Sequence, residues 1–374
     1  MKININVVDS DISVQLVDAF YAYVQSNIDE RVENWVISVT DFYDSDADVN
    51  IAWTTRGTDV NNISNYNAIF IGNGGEPMTV SSPFIHNVWE YDNVFLVFNS
   101  LVTDDHLLHN KIVYFPDPVQ QCRDYWTRYF YPQYHTNNYK LKKLDRTKNL
   151  VAINGLNRTV RHYVFNQLEQ KTNIPVLNNL SRQITNTNHS YWESPEDFEF
   201  RDTLEQQYAD VFEPELDYTY YDDSDNIGIN GRFGAVPPGY NIMPEYFEYQ
   251  CIIFPESTWQ NNELAITEKV LKCFYAGSLP FPVAGANVNA LYNSLGYYTA
   301  WNLLPKELQV FDSELNHFKR YEQMVDALQW LESNTKVFES KQFVESTRQN
   351  KINMLTYSPI HDGIQKLIEV IDEC

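Results

Sequence analysis

The 374-residue sequence has few cysteines, few cations and no long apolar run, and each shortage closes off a class of protein. The four cysteines, Cys122, Cys251, Cys273 and Cys374, stand far apart, with no Cys-x-x-Cys pair and no close Cys/His group of the kind that holds structural zinc. That pattern fits a reducing, intracellular setting. No stretch approaches the roughly 18 uncharged apolar residues of a membrane-spanning helix, and the first twenty residues carry acidic side chains where a secretory leader needs an apolar run. The expectation is a cytoplasmic protein without membrane insertion. Lys and Arg number 27 against 50 Asp and Glu, a net charge of −23. Such a balance opposes passive attraction to nucleic-acid phosphates or anionic lipid, because that attraction works through cations that release counterions. Any anionic ligand therefore needs a local basic site.

What is present is ample material for a core. Hydrophobic residues make up 43% and aromatics 15%, well above a disordered chain. The length exceeds what one hydrophobic core usually serves, so two domains, or one with a large appendage, are expected. Continuous apolar runs at residues 35–39, 68–72, 94–98 and 112–115 read as strands buried on both faces. With a strand-like run at 3–8 and helical spacing across 12–24, they make a β-α-β rhythm and predict a parallel sheet. The pattern restarts at 149–155, a strand ending in glycine, followed by a helix over 159–171. A second β-α-β unit follows from a strand at 249–254, a helix at 266–276 and a strand at 280–285. Residues 139–148, polar and basic, read as a linker.

The predicted fold class is therefore α/β, with two Rossmann-like domains, 1–145 and 146–335, facing a cleft where ligands bind at the carboxyl ends of the strands. Helical patterns over 336–374, broken at Ser358-Pro359, are expected to close the fold. The second domain carries an acidic insertion near 194–245, dense in Asp, Glu and Tyr, which reads as a surface excursion. Its carboxylates read chiefly as solvated, with metal binding the lesser alternative. There is no internal repeat and no low-complexity tail.

The most informative segment is 254–286. A buried strand delivers Glu256 and Ser257, a polar loop follows, and Thr267 caps a helix with Glu268 and Lys269 in its first turn. Unpaired N–H groups and the positive dipole end make a helix start hospitable to anions. A neighbouring lysine can neutralise phosphate, and a carboxylate can accept hydrogen bonds from ribose hydroxyls. Capping chemistry by itself also favours Thr followed by Glu, so this segment alone leaves both readings open.

At these residues the sequence resembles the α-1,3-fucosyltransferases and the looser group of phage and bacterial glycosyltransferases with a similar carboxy-terminal domain. In that group a strand of the form Y-x-F-x-L-x-F-E-N-S precedes a T-E-K helix and a run like A-G-x-V-P-V-x-x-G. The counterparts here are Tyr249-Gln250-Cys251-Ile252-Ile253-Phe254-Pro255-Glu256-Ser257, then Thr267-Glu268-Lys269, then Ala276-Gly277-Ser278-Leu279-Pro280-Phe281-Pro282-Val283-Ala284-Gly285. A fourth element, residues 154–180, is similar to the group's Asn-containing turn and Arg-initiated helix, with Arg161 at the matching position and Arg158 as a second cation. The residue-level alternative for both arginines is a solvated helix face. Pro255-Glu256-Ser257 departs from the group's Glu-Asn-Ser, setting the acidic residue one position later. The similarity covers roughly 149–304, with 196–245 poorly matched.

The resemblance implies the two-domain GT-B architecture and a glycosyltransferase using a UDP- or GDP-sugar. Glu268 would hold the donor ribose, and Lys269 and Arg161 the diphosphate, in place of a metal ion. Glu256, Ser257 and Thr267 complete the expected donor residues. It supplies no catalytic base; candidates are Glu76, after the glycines of 72–75, and Asp104, after the run at 94–98, although a glycine-rich turn without function also explains the former. Residues 117–134 interleave aromatics with Arg123 and Arg128, which reads as core packing at helical spacing or as an acceptor surface. The acceptor expected is a hydroxymethylated base in phage DNA, acted on in the host cytoplasm. The alternatives are a surface glycan or lipid-linked acceptor, or a non-catalytic nucleotide-binding protein.

Overall fold

In a computed structural model of the chain, two compact units are present. The structure describes residues 1–8, 30–55, 65–73, 90–98, 100–102, 111–114, 148–154, 159–178, 194–208, 244–256, 259–261, 263–265, 267–356 and 360–374, with single positions 17, 20, 24 and 146. One unit comprises Met1–Gln120, His189–Tyr191 and Ser358–Cys374; the other comprises Gln121–Asn188 and Trp192–Tyr357.

The first unit is built on the strands β1 (Lys2–Val7), β2 (Val36–Thr40), β3 (Val49–Thr55), β4 (Ala68–Asn73), β5 (Val94–Phe98), β6 (Ser100–Val102) and β7 (Ile112–Tyr114). Six of them form one sheet in the order β2-β1-β3-β4-β5-β7, with every pairing parallel. This is a doubly wound order whose switch point lies between β1 and β3. Ile3, Ile5, Ile51, Trp53, Ala68 and Phe70 are almost wholly buried.

Two strands differ from the sequence reading. The run at 35–39 is not buried on both faces. It forms edge strand β2, where Val36 is 66% exposed and Val39 45%. An edge strand has a neighbour on one side only, and apolar composition cannot distinguish an edge from a centre. Conversely β3, next to the switch point, has no continuous apolar run, because Asn50 and Thr54 interrupt it. They are buried nonetheless. Asn4 Nδ2 donates to the Phe42 carbonyl at 2.9 Å and to Asn50 Oδ1 at 3.1 Å, and Asn50 Nδ2 donates to the Asp44 carbonyl at 2.8 Å. Polar side chains are tolerated inside a sheet when their hydrogen bonds are made there.

The second unit carries β8 (Lys148–Asn154), β9 (Val176–Asn178), β10 (Tyr249–Pro255), β11 (Glu263–Ala265) and β12 (Leu279–Val283). Four of these make a parallel sheet in the order β12-β10-β8-β9. Chain order reverses between β8 and β10, which sets a second switch point there. The described helices are α1 (Thr159–Lys171), α2 (Pro195–Gln207), α3 (Pro244–Glu248), α4 (Glu268–Ala276), α5 (Val288–Ser294), α6 (His317–Ser333), α7 (Lys341–Thr356) and α8 (Ile360–Asp372). Helices α1, α2 and α6 bury Val164, Leu168, Phe200, Leu204, Met324 and Leu328 against Leu150, Ile253 and Phe281 of the sheet. The chain is thus α/β with two Rossmann-like parallel sheets, as its apolar rhythm predicts.

The acidic stretch from 194 does not begin as a surface excursion. Ser194 caps α2 in a reciprocal capping box with Asp197, and Phe200 and Leu204 enter the core. Asp197 itself is fully buried, held by His317 Nε2 and by the Asn261 main-chain N–H at 3.2 Å. Helix α8, at the end of the chain, contributes Leu367, Ile368, Val370 and Ile371 to the core of the first unit.

Candidate active site

The carboxyl edge of the second sheet, at the β8/β10 switch point, gathers the residues singled out in the sequence. Strand β10 is fully buried along its last five positions and ends in Pro255, so its chain direction delivers Glu256 just beyond the sheet, 3% exposed. The Glu256 main-chain N–H donates to the Val283 carbonyl at 2.9 Å, which continues the β10–β12 ladder one residue further. Arg161, in the first turn of α1, is 8% exposed, and its NH2 donates to the Glu256 carbonyl at 3.2 Å. The solvated-face alternative for Arg161 is therefore excluded. A guanidinium brought this far inside keeps its charge and carries several donors in a fixed fork.

Helix α4 starts at the same edge. Thr267 is its N-cap, extended at φ −110° and ψ 171°, and its Oγ1 accepts the Lys269 main-chain N–H at 3.4 Å. The Lys269 Nζ lies 3.5 Å from the same oxygen, so the ammonium folds back over the helix start. Beneath this cap, Thr267 Oγ1 donates to Glu256 Oε2 at 2.5 Å and Tyr292 Oη, from α5, donates to Glu256 Oε1 at 2.9 Å. At the far end, Gly277 adopts the left-handed conformation, φ 79°, that ends a helix. Arg146 donates there to the carbonyls of Ala276 and Gly277 and, at 3.0 Å, to that of Phe247. Burial lowers the Arg146 guanidinium to about 10, well above neutrality, so it remains a cation facing the negative end of α4. The thiols of Cys251 on β10 and Cys273 on α4 are buried and pushed up by that burial, which makes them packing groups.

Asn154 closes the arrangement. It is the last residue of β8, 1% exposed, and its Oδ1 has no hydrogen-bond partner among the described residues. A buried acceptor left unpaired costs roughly 1–3 kcal/mol.

The structure thus brings Arg161, Glu256, Thr267 and Lys269 together. Glu268 is the first residue of α4, and its side chain lies outside the described residues, as do Arg158, Ser257, Glu76, Asp104 and the aromatic stretch 117–134. Sequence reasoning missed Tyr292, whose surroundings in the sequence carry no motif, and Arg146, which stands near the end of a linker-like stretch and caps a helix end 130 positions away. Among the described residues no group of three or more His, Cys, Asp or Glu side chains could hold a metal ion, and no helix is long and apolar enough to cross a membrane.

Fold and site together define an α/β protein with doubly wound sheets and a cationic cluster at one switch point, the architecture that places ligands at strand carboxyl ends. No protein-family model and no curated protein sequence matches the chain. Among solved structures, an alpha1,3-fucosyltransferase is similar at a TM-score of 0.45 and 10% identity, over 99% of this chain and 90% of that one. A UDP-forming alpha,alpha-trehalose-phosphate synthase from Burkholderia vietnamiensis is similar at 0.36 and 11% identity, over 87% and 75%. A trehalose-6-phosphate structure from E. coli, bound with UDP-2-fluoro glucose, is similar at 0.39 and 11% identity, over 88% and 74%. At these values the likeness is one of fold outline.

Proposed function

We propose that the chain is a glycosyltransferase that moves a sugar from a UDP- or GDP-sugar to a hydroxyl acceptor. The observation that carries this reading is the buried Arg161 guanidinium on the Glu256 carbonyl, beside the capped start of α4 with Lys269 folded over it. The matching order of the four sequence elements supports it.

In this reading Arg161 and Lys269 hold the two phosphates, helped by the first main-chain N–H groups of α4, and Glu268 accepts from the ribose hydroxyls. Breaking the bond between sugar and phosphate builds negative charge on the departing diphosphate. Fixed cations and N–H dipoles lower that barrier without reorganising during the step. The same residues take the place that a divalent metal holds in other transferases. A carboxylate of the first unit removes the acceptor proton, with Glu76 and Asp104 the candidates. For the acceptor we propose a hydroxymethylated base in DNA, supported by the likeness in motif to phage transferases. The net charge of −23 confines any DNA contact to a local cationic patch.

Binding of UDP and GDP by calorimetry, and hydrolysis of UDP- and GDP-sugars, test the donor half. Arg161→Ala and Lys269→Ala are each expected to weaken diphosphate binding by about 10- to 100-fold, the loss of a charge-assisted hydrogen bond worth roughly 1.5–3 kcal/mol. A wild-type protein that neither binds nor hydrolyses any donor would sink the enzyme reading. Incubation with hydroxymethylated and with plain DNA, followed by nucleoside mass analysis, tests the acceptor; no added hexose or deoxyhexose mass on either removes DNA.

A further inference from the structure

Glu256 takes a hydrogen bond from three groups of the site. Its carbonyl takes the Arg161 guanidinium, its Oε2 takes the Thr267 hydroxyl at 2.5 Å, and its Oε1 takes the Tyr292 hydroxyl at 2.9 Å. Glu256, Thr267 and Tyr292 are 3%, 4% and 0% exposed. Both hydroxyls donate, and the two carboxyl oxygens accept. Thr267 has one hydroxyl proton, and Glu256 holds it. The lone pairs of Thr267 Oγ1 are thereby turned toward Lys269, whose N–H and Nζ lie 3.4 and 3.5 Å away. The Tyr292 hydroxyl pins the opposite carboxylate oxygen and stops the group from turning about its last bond. It comes from α5, whose own start is anchored separately by Asp312, which accepts from the main-chain N–H groups of Asn289 and Ala290 at 3.0 Å.

We infer that Tyr292 and Glu256 form a positioning pair that sets the Lys269 ammonium over the start of α4 through Thr267, so that Lys269 meets the donor diphosphate in a fixed place. This rests on the donor-site reading above and assigns Glu256, expected among the donor contacts, a role one step behind them. Tyr292 is a positioning residue and makes no ligand contact. Its influence on binding runs through Lys269.

The test is a double-mutant cycle on the full chain, with UDP and GDP as titrants. Tyr292→Phe is expected to weaken binding by about ten-fold in the otherwise unchanged protein, and by less than about two-fold when Lys269→Ala is already present, because the group it positions is gone. A purely structural tyrosine would give the same factor in both backgrounds. Equal factors, or a Tyr292→Phe protein that binds like wild type, overturn the inference while leaving the donor site standing. Binding of neither diphosphate by the wild type overturns the donor site itself and the inference with it. Where melting shows that Tyr292→Phe does not fold, Glu256→Gln, which keeps the size and replaces one accepting oxygen by an amide donor, takes its place in the same cycle with the same two outcomes.

Discussion

At the scale of single residues, a close approach between backbones accounts for a motif position that composition cannot. A Cβ built on Gly285 would stand 1.9 Å from the Gln260 carbonyl oxygen and 2.7 Å from its carbon. Backbone atoms of a packed loop cannot withdraw as the tip of a side chain can, so the closing glycine of the Ala276–Gly285 run is explained by space. Gly285→Ala is expected to destabilise the second unit by about 1–3 kcal/mol, the usual cost of overpacking, read as a lowered melting temperature. A melting temperature equal to wild type would show that the loop at 259–261 yields. Arg161 and Thr267 were legible because their types and spacing match a known arrangement. Asn154 was legible as a strand end and the start of an Asn-containing turn; that its Oδ1 lacks a partner among the described residues depends on β8 and β10 lying side by side.

At the scale of elements, the buried contact between α2 and α6 makes a pH prediction. Arg320 donates to His317 Nδ1, so the imidazole carries its proton on Nε2 and donates it to Asp197. Both ring nitrogens are thus satisfied in the neutral form, and a second proton on Nδ1 would face the Arg320 guanidinium. Burial, reinforced by the Arg320 charge and opposed by Asp197, lowers His317 from 6.5 to about 4. The unfolded chain then binds the extra proton and the folded chain does not. The stabilisation is complete above pH 6.5 and is lost as the pH falls to about 4, by up to roughly 3 kcal/mol. Urea unfolding between pH 7.5 and 4 checks this, and His317→Gln is expected to flatten the slope in that window while lowering stability at pH 7. A wild-type slope unchanged by that substitution would place the titration elsewhere. None of this was visible in the sequence, where Asp197 belongs to an acidic stretch and His317 stands 120 residues away. The capping box Ser194-x-x-Asp197 was present as a pattern; that its aspartate also faces the core depends on where α6 lies.

For the whole molecule, the end of the chain belongs to the first unit's core. Leu367, Ile368, Val370 and Ile371 of α8 pack with Ile3, Ile5 and Val113 in one cluster. Burying four such side chains is worth roughly 6–12 kcal/mol, comparable with the roughly 5–15 kcal/mol by which a domain is stable at all. Deletion of residues 358–374 is therefore expected to unfold the first unit, seen as rapid proteolysis of its fragments, and to leave the second unit protected. Equal protection of both units would refute that assignment of α8. The sequence by itself determined the α/β class, the parallel sheets and the capped start of α4, because strand runs, helical spacing and caps are local signals fixed within a few residues. Only the tertiary structure decided that β2 is an edge and β3 a centre, that Arg161 is buried, and that Tyr292 joins Glu256. Each of those facts depends on which distant segment fills the neighbouring space, and no short-range pattern carries that information.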